Sequence, residues 1–375
     1  MSEPLPFPRD ATAPDTGEAA LPEGVALRPD DIATPLDLTR LGPVLAEAGI
    51  ALRPGHPARQ FAGGLANLNY LLAVEGGWAV LRRPPAGPRP PGANDMAREH
   101  RILSRLWRVL PLAPRSLLLC EDPGPIGVPF QILEFRPGVV VRGDGLAPLP
   151  ETAETGRRLS QAMIAALAQI HAVDPAAAGL EGLGRPEGFF GRQVAGWAKR
   201  AAAVNDGTPP AAAREVLAWL ERCPEPDGGA PVLLHCDFKL DNLLLDPATL
   251  IPGTVVDWDM GTRGPALFDL ATLLSYWTEA DDPDCMHRLA QMPTARPGFA
   301  TREGAAAAWS AATGRPLDDL RPFRVLATLK LGVVFQQLHA LYRQGLTTDP
   351  RYVGFGALGA DLFDIAREVA HGRLF

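Results

Sequence analysis

The stretch His235-Cys-Asp-Phe-Lys-Leu-Asp-Asn242, followed by Thr254-Val-Val-Asp-Trp-Asp259, decides the reading of this chain. The first segment lies between apolar runs and places an Asn five residues after an Asp; the second closes a β-branched run with two aspartates. Phosphoryl transfer needs a carboxylate that orients the attacking hydroxyl and takes its proton. It also needs oxygen ligands for a Mg²⁺ that bridges nucleotide phosphates. Asp237 and Asn242 can serve both needs from one loop, and Asp257, at a strand end, adds a carboxylate for the metal. The plainer reading is that Asp237 and Asn242 are turn residues and Asp257 closes a strand, since such side chains favour local hydrogen bonding. Turn chemistry does not explain why all the residues fall in the order of the kinase pattern His-Arg-Asp-x-x-x-x-Asn followed by Asp.

Outward from that stretch, the chain reads as a bilobal α+β plan. Leu68–Val74 and Trp78–Arg82 form a predicted hairpin around Glu75-Gly76-Gly77, and Val128–Phe135 a further strand. Asn94–Leu110 carries Met96, Leu103, Leu106 and Leu110 at helical spacing. After Arg136-Pro137-Gly138 the pattern turns helical, over Glu151–Ala172, Ala211–Arg222, Ala266–Trp277 and Pro322–Tyr342. The expected division is a tail over 1–34, without fixed structure or loosely attached, a small β-rich N-lobe over 35–137 that binds nucleotide, and a larger, mainly helical C-lobe over 138–375 for catalysis and substrate.

Composition narrows the function. The chain has 375 residues, 36 basic against 43 acidic side chains and 46% hydrophobic residues, which excludes global disorder. Its net charge of −7 argues against a nucleic-acid partner. The longest apolar stretch, Val325–Phe335, is broken by Lys330 and too short to span a bilayer, so no membrane partner is expected. Cys120, Cys223, Cys236 and Cys285 form no C-x-x-C pair, and no signal peptide is visible; reduced thiols in a cytoplasmic protein are expected. The acidic run Asp281-Asp282 and Asp284 reads as a solvated loop. The oligomeric state is left open.

The nucleotide should lie in the first lobe. Gly63-Gly64 precede a strand, where backbone N–H groups can approach phosphates or simply make a turn. A kinase-like site needs a strand cation for the phosphates, held by a helix carboxylate. No lysine precedes Lys199, so Arg82 is the candidate, with Arg83 second, and Glu99 the partner. Glu99 falls on the apolar face of its helix, where a carboxylate without a cation is costly; the alternative is a Glu at the edge of that face. Lys239, two residues after Asp237, can reach a transferred phosphoryl group or be an ordinary loop lysine. Asp269 reads as an acceptor for backbone N–H groups of the catalytic loop, and His235 as a loop anchor.

The motifs His235–Asn242 and Val256–Asp259 resemble the catalytic-loop and metal motifs of the aminoglycoside phosphotransferase and choline kinase superfamily. Within it they are most similar to the branch associated with acyl-CoA dehydrogenases. Val80-Leu-Arg-Arg-Pro-Pro85, Arg98-Glu-His-Arg101, Leu119-Cys-Glu-Asp122, Gly191-Arg-Gln-Val194 and Leu329–Gln337 extend the likeness over about 55–355. The resemblance implies a protein-kinase-like fold and transfer of the ATP γ-phosphoryl group, with Mg²⁺, to a hydroxyl of a small molecule. It makes Asp237 the base, with Lys239 assisting, and Asn242, Asp257 and Asp259 the metal ligands; Gly63, Gly64, Asn67, Arg82, Glu99, Glu134 and Phe135 would bind nucleotide. Cys236 stands where the family usually has Gly, and Gly264-Pro265 lacks an intervening Asp. The branch points to a hydroxyacyl-CoA or hydroxy acid as acceptor. An aminoglycoside-type kinase, a catalytically inactive nucleotide-binding module and, more distantly, a protein kinase are the alternatives.

Overall fold

The computed structural model describes residues 21–22, 24–63, 67–85, 94–318, 320–347 and 350–375. It divides into two compact units, Met1–Val139 with Leu244–Gly261, and Val140–Leu243 with Thr262–Phe375. Leu244–Gly261 therefore belongs with the first unit, although the sequence reading places everything after residue 137 in the second lobe.

The first unit begins with α1 (Leu38–Glu47), whose Asp37 cap accepts from the amides of Thr39 and Arg40. Next come β1 (Arg59–Gln60), β2 (Leu68–Val74), β3 (Gly77–Arg83), α2 (Met96–Leu106), β4 (Ser116–Cys120) and β5 (Phe130–Glu134). The strands form one antiparallel sheet in the order β1-β2-β3-β5-β4. Gly76, at φ 83°, makes the tight β2–β3 turn that a side chain would strain. Alternate residues Tyr70, Leu72, Val74, Ala79, Leu81, Phe130 and Ile132 turn to one face and pack on Leu41 and Leu45 of α1. Arg82 and Gln131, each next to a member of that set, therefore face the other way, towards Glu99 of α2.

The expected N-terminal tail is partly built in. The Arg28 amide donates to the Gln60 carbonyl and the Ala62 amide to the Ala26 carbonyl, both at 2.8 Å, and the Tyr70 hydroxyl donates to the Thr34 carbonyl. Backbone pairing with the sheet edge captures this Pro- and Asp-rich segment despite its composition. Residues 1–20 lie outside the described residues.

The second unit starts with α3 (Ala153–His171), α4 (Phe189–Val204), α5 (Ala211–Arg222) and β6 (Val232–Leu234), then a 3-10 turn at Leu240–Asn242. From β7 (Leu243–Leu245) the chain enters the first unit, pairs with β8 (Pro252–Val255), and exchanges backbone bonds between Leu245 and Val139. It returns with β9 (Thr262–Gly264) against β6. The helices α6 (Ala266–Tyr276), α7 (Asp284–Leu289), α8 (Arg302–Thr313), α9 (Leu320–Arg343) and α10 (Phe355–Ala370) complete it. α6 is buried on every side, and α9 crosses α10 closely where Gly332 and Gly359 meet: a Cβ on either would lie within 3 Å of the other's carbonyl oxygen. The architecture is thus α+β, with a sheet-based first unit and a mainly helical second.

Candidate active site

In the second unit, the turn between β6 and the 3-10 turn presents Asp237. Its backbone is held by Asp269 in the first turn of α6, which accepts from the amides of His235 at 2.6 Å and Cys236 at 2.7 Å. Asp269 in turn lies 3.4 Å from His171 Nε2, and Trp309 Nε1 donates to His171 Nδ1 at 3.1 Å. That leaves the His171 proton on Nε2, directed at Asp269. Cys236 takes a left-handed φ of 67°, a conformation that glycine adopts more readily than a residue with a Cβ.

The Asp237 side chain, 22% exposed, accepts from the Tyr276 hydroxyl on Oδ1 at 2.7 Å and lies 3.4 Å from Lys239 Nζ through Oδ2. Asn242 donates its amide to the Asp237 carbonyl at 2.9 Å, which fixes the orientation of its side chain. Burial pushes the Asp237 carboxyl up, but the Lys239 and Lys330 ammonium groups and the Tyr276 hydroxyl outweigh it and hold it below its ordinary value. Burial and the Asp237 charge push the Tyr276 phenol well up. Lys239 is no solvated loop residue: it lies over the Tyr276 ring at 4.9 Å and between Asp237 and Asp241. The result is a carboxylate kept in its anionic form.

In the first unit, Arg82 Nε lies 2.7 Å from Glu99 Oε2, and Arg82 Nη2 contacts Asp257 Oδ1. Burial alone would lower the Arg82 pKa; Asp257, Glu99 and Asp259 outweigh it and raise it above its usual value. Glu99 is 0% exposed and also accepts from the Gln131 side chain and, at 2.9 Å, from the Trp258 amide. Burial raises its pKa and Arg82 opposes that rise. Arg83 points elsewhere, to the carbonyls of Pro84 and Ile126, so Arg82 is the residue paired with Glu99. Asp257 sits at a left-handed φ of 70°, a strain typical of functional positions. Asp259 Oδ2 accepts from Asn67 at 3.3 Å, and Asn67 Oδ1 accepts from Asn94 at 2.8 Å.

Other expected residues are placed differently. Gly63 has φ 84°, whereas Gly64 lies outside the described residues. Glu134 is taken up locally, accepting from the Arg115 amide at 3.0 Å and pairing with Arg136 at 2.9 Å. Phe135 is half-buried beside it. Among the described residues no three His, Cys, Asp or Glu side chains form a metal cage. The side-chain oxygens of Asn242, in the second unit, and of Asp257 and Asp259, in the first, are hard donors of the kind that suits Mg²⁺.

Sequence reading does not link Tyr276, Gln131 or Lys330 to these groups, because each reaches its partner from a distant element. Of the acidic run expected as a solvated loop, Asp281 and Asp284 are exposed, whereas the Asp282 side chain is not. Asp282 is 4% exposed and forms two 2.6 Å hydrogen bonds with Arg302, which Glu279 also pairs at 3.0 Å. Arg192 donates to the backbone carbonyls of Glu187 and Arg185.

Comparison with known proteins agrees with this architecture. The chain is 34% identical over 222 residues to acyl-CoA dehydrogenase family member 11 of Gallus gallus, a match that covers 58% of this chain and 28% of that protein. The chain therefore spans under a third of that relative's length. A Ralstonia eutropha protein assigned to the aminoglycoside phosphotransferases superposes with TM-score 0.71 at 22% identity, covering 90% of this chain and 98% of that one. Aminoglycoside phosphotransferase APH(4)-Ia, solved with AMP-PNP and hygromycin B, superposes with TM-score 0.53 at 18% identity, covering 89% and 98%. These likenesses establish a protein-kinase-like fold. With residues 57–312 matching the family as a whole, the chain belongs to the phosphotransferase enzyme family.

Proposed function

We propose that the chain is an ATP- and Mg²⁺-dependent kinase of a small-molecule hydroxyl, acting in the cytoplasm. The observation that carries this reading is the Asp237 carboxylate, anionic and held by Tyr276 and Lys239 on a loop that also fixes Asn242. Asp237 accepts the proton of the acceptor hydroxyl as its oxygen attacks the γ-phosphorus and the bond from that phosphorus to the β-phosphate oxygen breaks, with ADP as leaving group. Lys239 steadies the transferred phosphoryl charge. Arg82, braced by Glu99, holds the α/β-phosphates, and Asn242, Asp257 and Asp259 hold Mg²⁺. When bound there, Mg²⁺ would supply neutralisation of phosphate charge. The first unit is the nucleotide-binding lobe and the second the catalytic and acceptor-binding lobe.

The acceptor is a hydroxyacyl-CoA or related hydroxy acid. The pairing of Asp282 and Glu279 with Arg302 supports an acceptor other than a polycation, because these carboxylates already have a cation. A screen of ATP consumption against hydroxyacyl-CoAs, hydroxy acids, amino alcohols, sugars and aminoglycosides tests this. Turnover is expected on the first two classes; turnover on aminoglycosides alone overturns the acceptor assignment, and silence on all classes leaves a nucleotide-binding module.

Two expected results follow from the same groups. Asp257→Ala removes a charged metal ligand and should abolish most of the Mg²⁺ enhancement of ATP binding. Nucleotide titrations with and without Mg²⁺ measure it, and an unchanged enhancement rejects the role. Tyr276→Phe removes one of the groups that depress the Asp237 pKa. Activity needs the deprotonated base and is lost as pH falls through its pKa. The acid limb of kcat/KM should therefore move to higher pH, by roughly one unit for a lost bond to a charged group. A limb that stays in place, or moves down, counts against Asp237 as base.

A further inference from the structure

Of three lysines in the chain, Lys330 is the one buried within α9, 5% exposed. A buried ammonium is costly unless it is well paired. Its hydrogen-bond acceptor is not a carboxylate but the backbone carbonyl of Cys236, and its Nζ also lies 5.6 Å from the Phe268 ring centroid. That carbonyl belongs to the peptide joining Cys236 to Asp237. Cys236 is left-handed at φ 67°, a conformation that a residue with a Cβ adopts at a cost. On the preceding amides, the Asp269 carboxylate takes the His235 and Cys236 N–H groups at 2.6 and 2.7 Å. A buried anion thus holds the donors of this turn and a buried cation holds its acceptor.

We infer that Lys330 is a positioning residue, whose bond to the Cys236 carbonyl holds the left-handed turn that sets the Asp237 side chain against Tyr276 and Lys239. Its catalytic consequence rests on the kinase reading above. Without the cation, the peptide between Cys236 and Asp237 can rotate towards the ordinary φ of a cysteine, and Asp237 leaves its place. A glycine in place of Cys236 would hold the same turn without strain, so the need for Lys330 should fall in Cys236→Gly. Simple core packing by the lysine stem predicts no such dependence.

A double-mutant cycle over Lys330→Met and Cys236→Gly tests this, with Lys330→Gln in place of Lys330→Met if the latter does not fold. With Cys236 in place, Lys330→Met should lower kcat by about 10- to 100-fold, the scale of a lost charge-assisted hydrogen bond. The KM for ATP should stay within about twofold, as for a group that acts on the base rather than on nucleotide binding. In the Cys236→Gly background the loss should shrink to about threefold or less, a coupling of the size seen for contacting residues. Lys330→Arg, which keeps a cation, should recover most of the activity. Urea unfolding of the four proteins of the cycle reads the coupling without any substrate: Lys330→Met should lower the unfolding midpoint less in the Cys236→Gly background than in the wild-type one. Additive effects on unfolding overturn the inference whatever the activity, as does a loss confined to the KM for ATP. No turnover by the wild type on any acceptor overturns the kinase reading instead.

Discussion

Asp237→Asn is expected to lower kcat by about three orders of magnitude, within the range for loss of a general base, while ATP affinity changes little. Asparagine preserves the size of the side chain and can still accept from the Tyr276 hydroxyl that now bonds Oδ1. What it loses is the negative charge beside Lys239 and the capacity to take a proton from the acceptor. Asp237 is 22% exposed, so the change should leave folding intact. Single-turnover rates with saturating ATP, alongside calorimetric nucleotide binding, separate the two effects. A kcat within tenfold of the wild type rejects Asp237 as base. Equal losses in binding and turnover would place it with the nucleotide instead.

Arg82→Ala is expected to destabilise the first unit by about 3–5 kcal/mol, the range for breaking a buried ion pair from one side. It leaves Glu99, at 0% exposure, with the Gln131 amide and the Trp258 N–H as its remaining donors. Arg82→Lys should recover only part of the loss, because an ammonium cannot reach Glu99 and Asp257 together as the guanidinium does. Pairing Arg82→Met with Glu99→Gln removes both charges yet keeps an acceptor for the Trp258 amide, and should restore most of the stability. The KM for ATP should rise in all of these variants, including the double one. Urea unfolding followed by tryptophan fluorescence, with ATP kinetics on the same proteins, distinguishes the roles. A stability loss below about 1 kcal/mol for Arg82→Ala would contradict the importance of the pair. Full ATP affinity in the restored double variant would show that Arg82 serves the fold and not the nucleotide.

Much of the loop that carries Asp237 and Asn242 was legible because its contacts are local. Asp237 and Asn242 lie five residues apart on one turn, and their contact needs only the backbone between them. Asp269 could be read as the acceptor for the loop amides because a carboxylate at the start of so apolar a helix needs donors nearby. Glu99 was legible for a similar reason: helical spacing put it on the buried face, where a cation had to meet it. The N-terminal segment misled because composition describes a chain by itself, and the Arg28 and Ala62 backbone bonds come from a sheet edge that composition does not reveal.

By itself, then, the sequence determined the phosphotransferase family, the α+β plan, and the order in which Asp237, Asn242 and Asp257 stand on loop and strand end. Only the tertiary structure decided between Arg82 and Arg83. That choice depends on which face of β3 covers the α1 core: Leu81 occupies it, so its neighbour Arg82 turns to Glu99. It also decided the place of Asp282, which meets Arg302 from 20 residues away. Tyr276 reaches Asp237 across 39 residues and Lys330 reaches Cys236 across 94. Periodicity and turn chemistry act over a few residues, whereas such partners are chosen by the packing of α6 and α9, which fixes what each buried charge can reach.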